Sequence, residues 1–171
     1  HSVMCMGTNS GELETIKRLV TEVYPGGVVS VVSDTWDLWK VLDEYLPALK
    51  DEILGRDGKV VIRPDSGDPV DIICGNPNGT SETEKKGVVE RLWETFGGVV
   101  NDKGYKELDP HIGAIYGDSI TLERAENMCK RLKAKGFAST NVVLGIGSFT
   151  YQYNTRDTFG FAMKATYGEV N

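Results

Sequence analysis

The segment Arg63-Pro64-Asp65-Ser66-Gly67-Asp68-Pro69 concentrates the most suggestive chemistry of the chain. The planar fork of Arg63 suits a phosphate or a developing negative charge. Asp65, two residues on, suits sugar hydroxyls or Mg²⁺. In isolation the same segment reads as a charged turn with an internal Arg–Asp pair. Asp68 and Asp71 are assigned that plainer role, as turn and helix-start residues. Further along, Gly117-Asp118 joins a residue that permits close backbone approach to a carboxylate suited to a ribose diol. An Asp there also suits the N-terminus of a following helix, where the dipole favours it. Gly145-Ile146-Gly147-Ser148 has the form of a phosphate cradle of backbone amides, although Gly-x-Gly-Ser alone more often marks a turn. Arg156, in Asn154-Thr155-Arg156-Asp157, is near enough in sequence to reach the same phosphate. Its plain alternative is a surface pair with Asp157.

These residues need elements to hold them. Strand-like runs at 28–32, 59–62, 111–116 and 141–144 alternate with helix-like runs, the pattern of a parallel α/β sheet or barrel. A helix over 12–24 carries Leu13, Ile16, Val20 and Val23 at helical spacing, opened by a capping-box-like Asn9 and Glu12. A second passes through Trp39, Leu42 and Tyr45, and Pro47 restarts it as a short turn. Residues 75–87 read as a surface loop, with Ser81 and Glu84 capping a helix that carries Val88, Val89, Leu92, Trp93 and Phe96. Gly97-Gly98 ends that helix, and Asn101-Asp102-Lys103-Gly104 is a turn. The last helix puts Leu122, Ala125, Met128, Cys129 and Leu132 on one face and ends at Gly136. Residues 1–6 are a candidate tail of one more strand.

Each strand ends in small, polar or charged residues: Ser33-Asp34, Arg63 with Asp65, Gly117-Asp118, and Gly145 with Gly147-Ser148. Ligands of parallel α/β folds bind at the carboxyl ends of strands, so the four tips predict one site for an anionic, hydroxyl-rich ligand. A closed eight-stranded barrel takes about 250 residues. The fold expected of these 171 residues is therefore α/β, an incomplete barrel in preference to a smaller open sheet.

Charged residues make up 26% of the chain and the net charge is −6, which argues against a general nucleic-acid binder with its basic stripe. Cys5, Cys74 and Cys129 are far apart, and the histidines are His1 and His111, which argues against structural zinc and for reduced, cytosolic thiols. His111 is assigned a structural or exposed role. Phe149, Tyr151, Tyr153, Phe159 and Phe161 are expected in the core rather than as a base-stacking platform. No apolar run approaches the roughly 20 residues needed to span a bilayer, and no signal peptide is expected. Without an initiating methionine, and with structured-looking sequence at both ends, the chain reads as a piece of a longer protein.

Ser30-Val31-Val32-Ser33-Asp34, Val61-Ile62-Arg63-Pro64-Asp65-Ser66-Gly67, Gly117-Asp118 and Thr155-Arg156-Asp157, in this order and spacing, resemble the nicotinamide phosphoribosyltransferases of the type II phosphoribosyltransferase family. His1-Ser2 resembles that family's His-Ser pair. The resemblance covers the whole chain, and Ile-Arg-Pro-Asp-Ser-Gly is its most specific part. It implies an irregular (β/α) barrel that works as a homodimer, with active sites at the subunit interface. The implied reaction joins nicotinamide to phosphoribosyl pyrophosphate, giving nicotinamide mononucleotide and pyrophosphate for NAD biosynthesis. Mg²⁺ and an optional ATP-driven step through a phosphohistidine are implied with it.

Position by position, His1 matches the phosphorylated histidine, and Arg63 and Asp65 match residues around the ribose and the nicotinamide. Asp37 matches an acidic residue near the pyrophosphate and the metal. Gly117 and Asp118 match the ribose-binding pair, Gly147, Ser148 and Arg156 match the 5′-phosphate binders, and Ser33 joins the substrate-binding set from its strand tip. Animal members have three consecutive glycines at the positions of Gly147-Ser148-Phe149, and the loop at 74–86 is closer to bacterial members. The aromatic residues that sandwich the nicotinamide ring, and the aspartate that reads its amide, match no part of this chain. Residues 1–171 are thus expected to be a single α/β segment, the phosphoribosyl-binding part of a cytoplasmic barrel enzyme with no nucleic-acid or membrane partner. The alternatives are a nicotinate phosphoribosyltransferase, which shares fold and mechanism, and a non-catalytic fragment that binds only phosphate and ribose.

Overall fold

A computed structural model describes residues 1–150, 152, 154, 158–161, 163 and 165–169, with the backbone alone for Ser148 and Thr150. Patterning translates into elements in chain order. Helix α1 spans Ser2–Cys5, and α2, Glu12–Arg18, runs on through a π-helical turn at Leu19–Val23. Strand β1 is Gly26–Val32, followed by α3 (Leu38–Lys40, continued by a π-helical turn at Val41–Tyr45), α4 (Leu46–Ala48) and α5 (Lys50–Leu54). Strand β2 is Asp57–Arg63, and α6 (Pro69–Cys74), α7 (Glu82–Lys86) and α8 (Val88–Phe96) come next. Strands β3 (Gly98–Val100), β4 (Lys106–Leu108) and β5 (Ile112–Tyr116) precede α9 (Leu122–Ala134), β6 (Val142–Leu144) and a short 3₁₀ turn at Gly147–Thr150.

The main sheet is parallel in the order β1-β2-β5-β6, with Val29 opposite Val60, Val60 opposite Ile112 and Ala114 opposite Val142. Strands that neighbour one another in chain order form a barrel wall; a doubly wound sheet would reverse order at a switch point. Among the described residues the wall stays open, with β1 and β6 as its edges. Side chains alternate along each strand. Val29, Val31, Val60, Ile62, Ile112, Ala114 and Val142 share one core with Leu42, Leu46, Ile53, Ile73, Leu92, Met128 and Leu132 from the helices. Each fully buried aliphatic side chain contributes roughly 1.5–3 kcal/mol. Val28 and Val143, on the other face, are 74% and 58% exposed.

Two arginines tie the layers together. Buried Arg56 donates to the carbonyls of Val20, Tyr24 and Gly27, satisfying the end of the α2 turn and the start of β1. Arg131 of α9 pairs with Asp71 at 2.7 Å and donates to the Gly75 carbonyl. Among the described residues no helix is long and apolar enough to cross a membrane.

Several local expectations change. Residues 1–6 hold the helical turn α1 and not a strand. Asn9 and Glu12 form no capping box: Gly11 is the N-cap of α2, and the Glu12 side chain turns into the interior at 1% exposure. The Ser81–Glu84 box does form, but it caps the short α7, which Gly87 at φ +81° separates from α8. The turn at 101–104 belongs to an antiparallel β3–β4 hairpin whose three-residue strands are too short to show a period. Leu122 is 89% exposed and Cys129 is exposed, so the buried face of α9 narrows to Met128 and Leu132 with Ala125 beside them. Phe159 and Phe161, 69% and 83% exposed, pair with each other at 6.3 Å outside the core. Phe149 is half-buried, and Tyr151 and Tyr153 lie outside the described residues.

Candidate active site

Four parallel strands end on the same side of the sheet, and their tips are stitched to one another by polar groups. Ser33, fully buried, donates its N–H to the Arg63 carbonyl at 3.1 Å and its hydroxyl to the Val31 carbonyl at 2.7 Å. That hydroxyl therefore orders the β1 tip. Asp34 reaches across: its Oδ2 accepts the Asp65 N–H at 2.8 Å, pinning the loop after β2. Its Oδ1 is buried without a hydrogen-bond partner, 3.9 Å from His1 Nε2. The imidazole of His1 sits between the two tips, with Nδ1 3.0 Å from the Thr35 hydroxyl and Nε2 3.6 Å from Asp65 Oδ2.

Close backbone approach organises the other half of the site. A Cβ on Gly117 would lie 2.6 Å from Arg63 Nε and 2.8 Å from Arg63 Cζ, so the bare glycine is what gives the guanidinium its place. Arg63 Nη2 is 3.9 Å from Asp65 Oδ1, the internal Arg–Asp pair of the plainer reading, held at a distance longer than a hydrogen bond. A Cβ on Gly147, at φ +60°, would overlap the Asp118 carboxylate. Asp118 Oδ1 accepts the Ser119 N–H at 2.7 Å. The helix-cap role is taken by Thr121, whose hydroxyl accepts the Arg124 N–H at 3.2 Å, which frees Asp118 from that duty. Tyr116 donates its hydroxyl to the Gly67 carbonyl at 2.9 Å and so ties β5 to the loop after β2. Burial, with the charges of Asp34 and Asp65 adding to it, pushes the Tyr116 phenol up to about 12, so it remains a donor.

A polar cavity of about 460 Å³ results, lined by His1, Arg63, Asp65, Tyr116, Asp118 and Arg124 among others. A larger one, about 560 Å³, lies against the β3–β4 hairpin beside Tyr105, Cys129 and Phe137 and holds none of the strand-tip residues. The structure thus brings His1, Arg63, Asp65, Gly117 and Asp118 together, with Gly147 abutting Asp118. Asp37 is exposed and caps α3, accepting the Trp39 and Lys40 N–H groups at 3.0 and 3.2 Å on one oxygen. Asp68 caps α6, and His111 is held 2.7 Å from Asp109, away from the site. Arg156 and the Ser148 side chain lie outside the described residues. Sequence reasoning placed Asp34 at one of the strand tips of the expected site without an individual role, and assigned no part to Thr35, Tyr116, Ser119 or Arg124. Asp34 was legible as the neighbour of Ser33 at a strand tip, whereas nothing in the spacing marks Arg124.

The sequence profile of the nicotinate phosphoribosyltransferase (NAPRTase) family matches residues 1–171. A curated "Nicotinamide phosphoribosyltransferase" of Acinetobacter baylyi is 59% identical over 178 residues, covering 100% of this chain and 35% of that protein. One of the same name from Mycoplasma pneumoniae is 47% identical, covering 97% of this chain and 37% of that protein. Another from Xanthomonas campestris pv. campestris is 35% identical, covering 97% and 33%. The chain spans about a third of the length of these relatives. The open wall of sequential parallel strands accords with part of a type II phosphoribosyltransferase barrel. On the match along its whole length, the chain belongs to the nicotinate phosphoribosyltransferase family.

Proposed function

We propose that the protein carrying this chain is a nicotinamide phosphoribosyltransferase acting in NAD biosynthesis, with residues 1–171 as the phosphoribosyl-binding part of its barrel domain. The observation that carries this reading is the convergence of Arg63, Asp65 and Asp118 on one polar cavity, on loops where glycines leave room for a guanidinium and a carboxylate. The name shared by the curated relatives narrows the acceptor to nicotinamide.

In the proposed reaction the pyridine nitrogen bonds to C1 of the ribose, the bond from C1 to pyrophosphate breaks, and pyrophosphate leaves with the electron pair. The sugar becomes cation-like on the way. Asp118 holds the ribose diol, Asp65 offsets the developing positive charge, and Arg63 offsets negative charge on the phosphates, all by positioning and electrostatics. The amides at Gly147 and Ser148, with Arg156, are assigned to the 5′-phosphate.

Among the described residues no three imidazole, thiol or carboxylate groups gather into a metal cage. Mg²⁺ needs none when substrate phosphates complete its shell. Asp65, in the cavity wall, and Asp37, outside it at the cap of α3, are the proposed holders, and the bound ion would neutralise the leaving pyrophosphate. ATP coupling through His1 belongs to the same proposal: with Nδ1 turned to Thr35, Nε2 is the nitrogen left to accept a phosphoryl group. A homodimer in the cytoplasm completes it.

Nicotinate is the second reading, since the matching family bears its name. Steady-state assays of the full-length protein with phosphoribosyl pyrophosphate, Mg²⁺ and either pyridine separate the two. We expect nicotinamide to be favoured at least about tenfold in kcat/KM, and Asp65→Asn to lower kcat by about a hundredfold. Turnover with nicotinate alone would overturn the acceptor, and no pyrophosphate release with either would overturn the reaction.

A further inference from the structure

Arg124 stands in the wall of the strand-tip cavity although neither spacing nor resemblance gives it a role. It lies in the first turn of α9, and its Nη1 donates to the Ser119 carbonyl at 2.7 Å. Among the described residues no carboxylate pairs with it, whereas Arg63 faces Asp65 and Arg131 faces Asp71. A guanidinium has five donors in a rigid fork. Among the described residues, one bond to a neutral carbonyl fixes that fork and leaves the remaining donors without a carboxylate partner.

The anchor is itself firmly set. Ser119 adopts φ +62°, a left-handed conformation that a residue with a Cβ holds only when its surroundings impose it. Its N–H is used by Asp118 and its carbonyl by Arg124, so the three residues form one hydrogen-bonded chain. Asp118 and Arg124 therefore enter the cavity as a registered pair, a carboxylate beside a cation. A phosphorylated sugar presents the complement of that pair, with hydroxyl donors next to an anion.

We propose that Arg124 contacts substrate directly, clamping a phosphate group of the phosphorylated ribose. This rests on the phosphoribosyltransferase reading above. Calorimetric titrations of ribose 5-phosphate, inorganic pyrophosphate and nicotinamide into the full-length protein test it, with Arg124→Gln and Arg124→Lys alongside.

Loss of a charge-assisted bond predicts that Gln raises Kd for at least one phosphorylated ligand about ten- to a hundredfold. The Kd of nicotinamide should stay unchanged. Lys should recover part of the loss, because it restores the charge without the fork. The KM for phosphoribosyl pyrophosphate should rise with Gln, and more steeply at low salt. Unchanged binding of both phosphorylated ligands, or a fall in kcat at unchanged KM, would overturn the proposal and leave Arg124 as a prop for Ser119. If Gln unfolds the protein, the Lys variant and the salt dependence of wild-type KM decide the same question. A wild-type protein that binds neither phosphorylated ligand sinks the phosphoribosyltransferase reading itself, a result distinct from failure of Arg124 alone.

Discussion

Gly117→Ala adds one methyl group, and the structure says where it goes. The new Cβ would lie 2.6 Å from Arg63 Nε, 2.7 Å from Nη2 and 2.8 Å from Cζ, closer than any real carbon contact. Restoring an ordinary separation of roughly 3.5–4 Å requires the guanidinium to move by about 1 Å. Arg63 is 40% exposed and its end is flexible, so the side chain yields and the backbone stays. The stability cost should remain within ~1 kcal/mol, as for substitutions that force no core change. Activity is another matter. A donor displaced by 1 Å from charge that develops in the transition state forfeits about 2.7–4 kcal/mol, or roughly a hundred- to a thousandfold in kcat/KM. The assay is pyrophosphate release at saturating and limiting phosphoribosyl pyrophosphate, paired with a thermal melt. Gly145→Ala is the contrasting variant. Its Cβ would overlap the Gly117 carbonyl, a backbone atom that cannot step aside, so it should lose about 1–3 kcal/mol of stability first. Wild-type kcat/KM in Gly117→Ala would refute the placement of Arg63 in the chemistry. A collapsed melting temperature would mean that the backbone, and not the side chain, took the strain.

Glu12 predicts a pH effect on stability. Burial pushes its carboxyl up to about 7 from 4.5, against the pull of nearby Lys40, and both oxygens lack partners. The folded state therefore holds a proton that the unfolded chain releases, and stability should fall as pH rises from about 4.5 to 7, by about 3 kcal/mol, then level off. Glu12→Gln should be the more stable protein at pH 8 and no better than wild type at pH 4.5 in urea titrations; parallel curves at both would contradict the burial argument. Arg56→Met removes the cation that serves the carbonyls of Val20, Tyr24 and Gly27, and should cost about 3 kcal/mol in denaturant midpoint experiments while sparing turnover per folded molecule. A loss under about 1 kcal/mol would show that water replaces the guanidinium at no penalty.

Much of the wall was legible before any coordinates. The β-branched runs at 28–32 and 59–62 and the tips that follow them encode parallel strands with chemistry at one end, because strand period and turn chemistry are local properties. The Arg63-Pro64-Asp65 and Gly117-Asp118 segments could be singled out as candidates for the same reason. Asp118 itself carried two readings, helix cap or ligand, and no local rule could choose. Thr121 takes the cap in three dimensions, which leaves the Asp118 carboxylate to the cavity. Asp34 bonds to an amide 31 residues away, and Tyr116 to a carbonyl 49 residues away, across a register that only the assembled sheet sets. Glu12 looked like a surface cap, and packing turned it inward. Arg124 drew no reading from the spacing, and only the fold sets its guanidinium on the left-handed Ser119 at the cavity wall. Sequence by itself determined which residues could do chemistry and which strand each would end. Tertiary structure alone decided which of them share a cavity and which are spent on holding it, because those choices depend on contacts between chain segments whose separation no local pattern records.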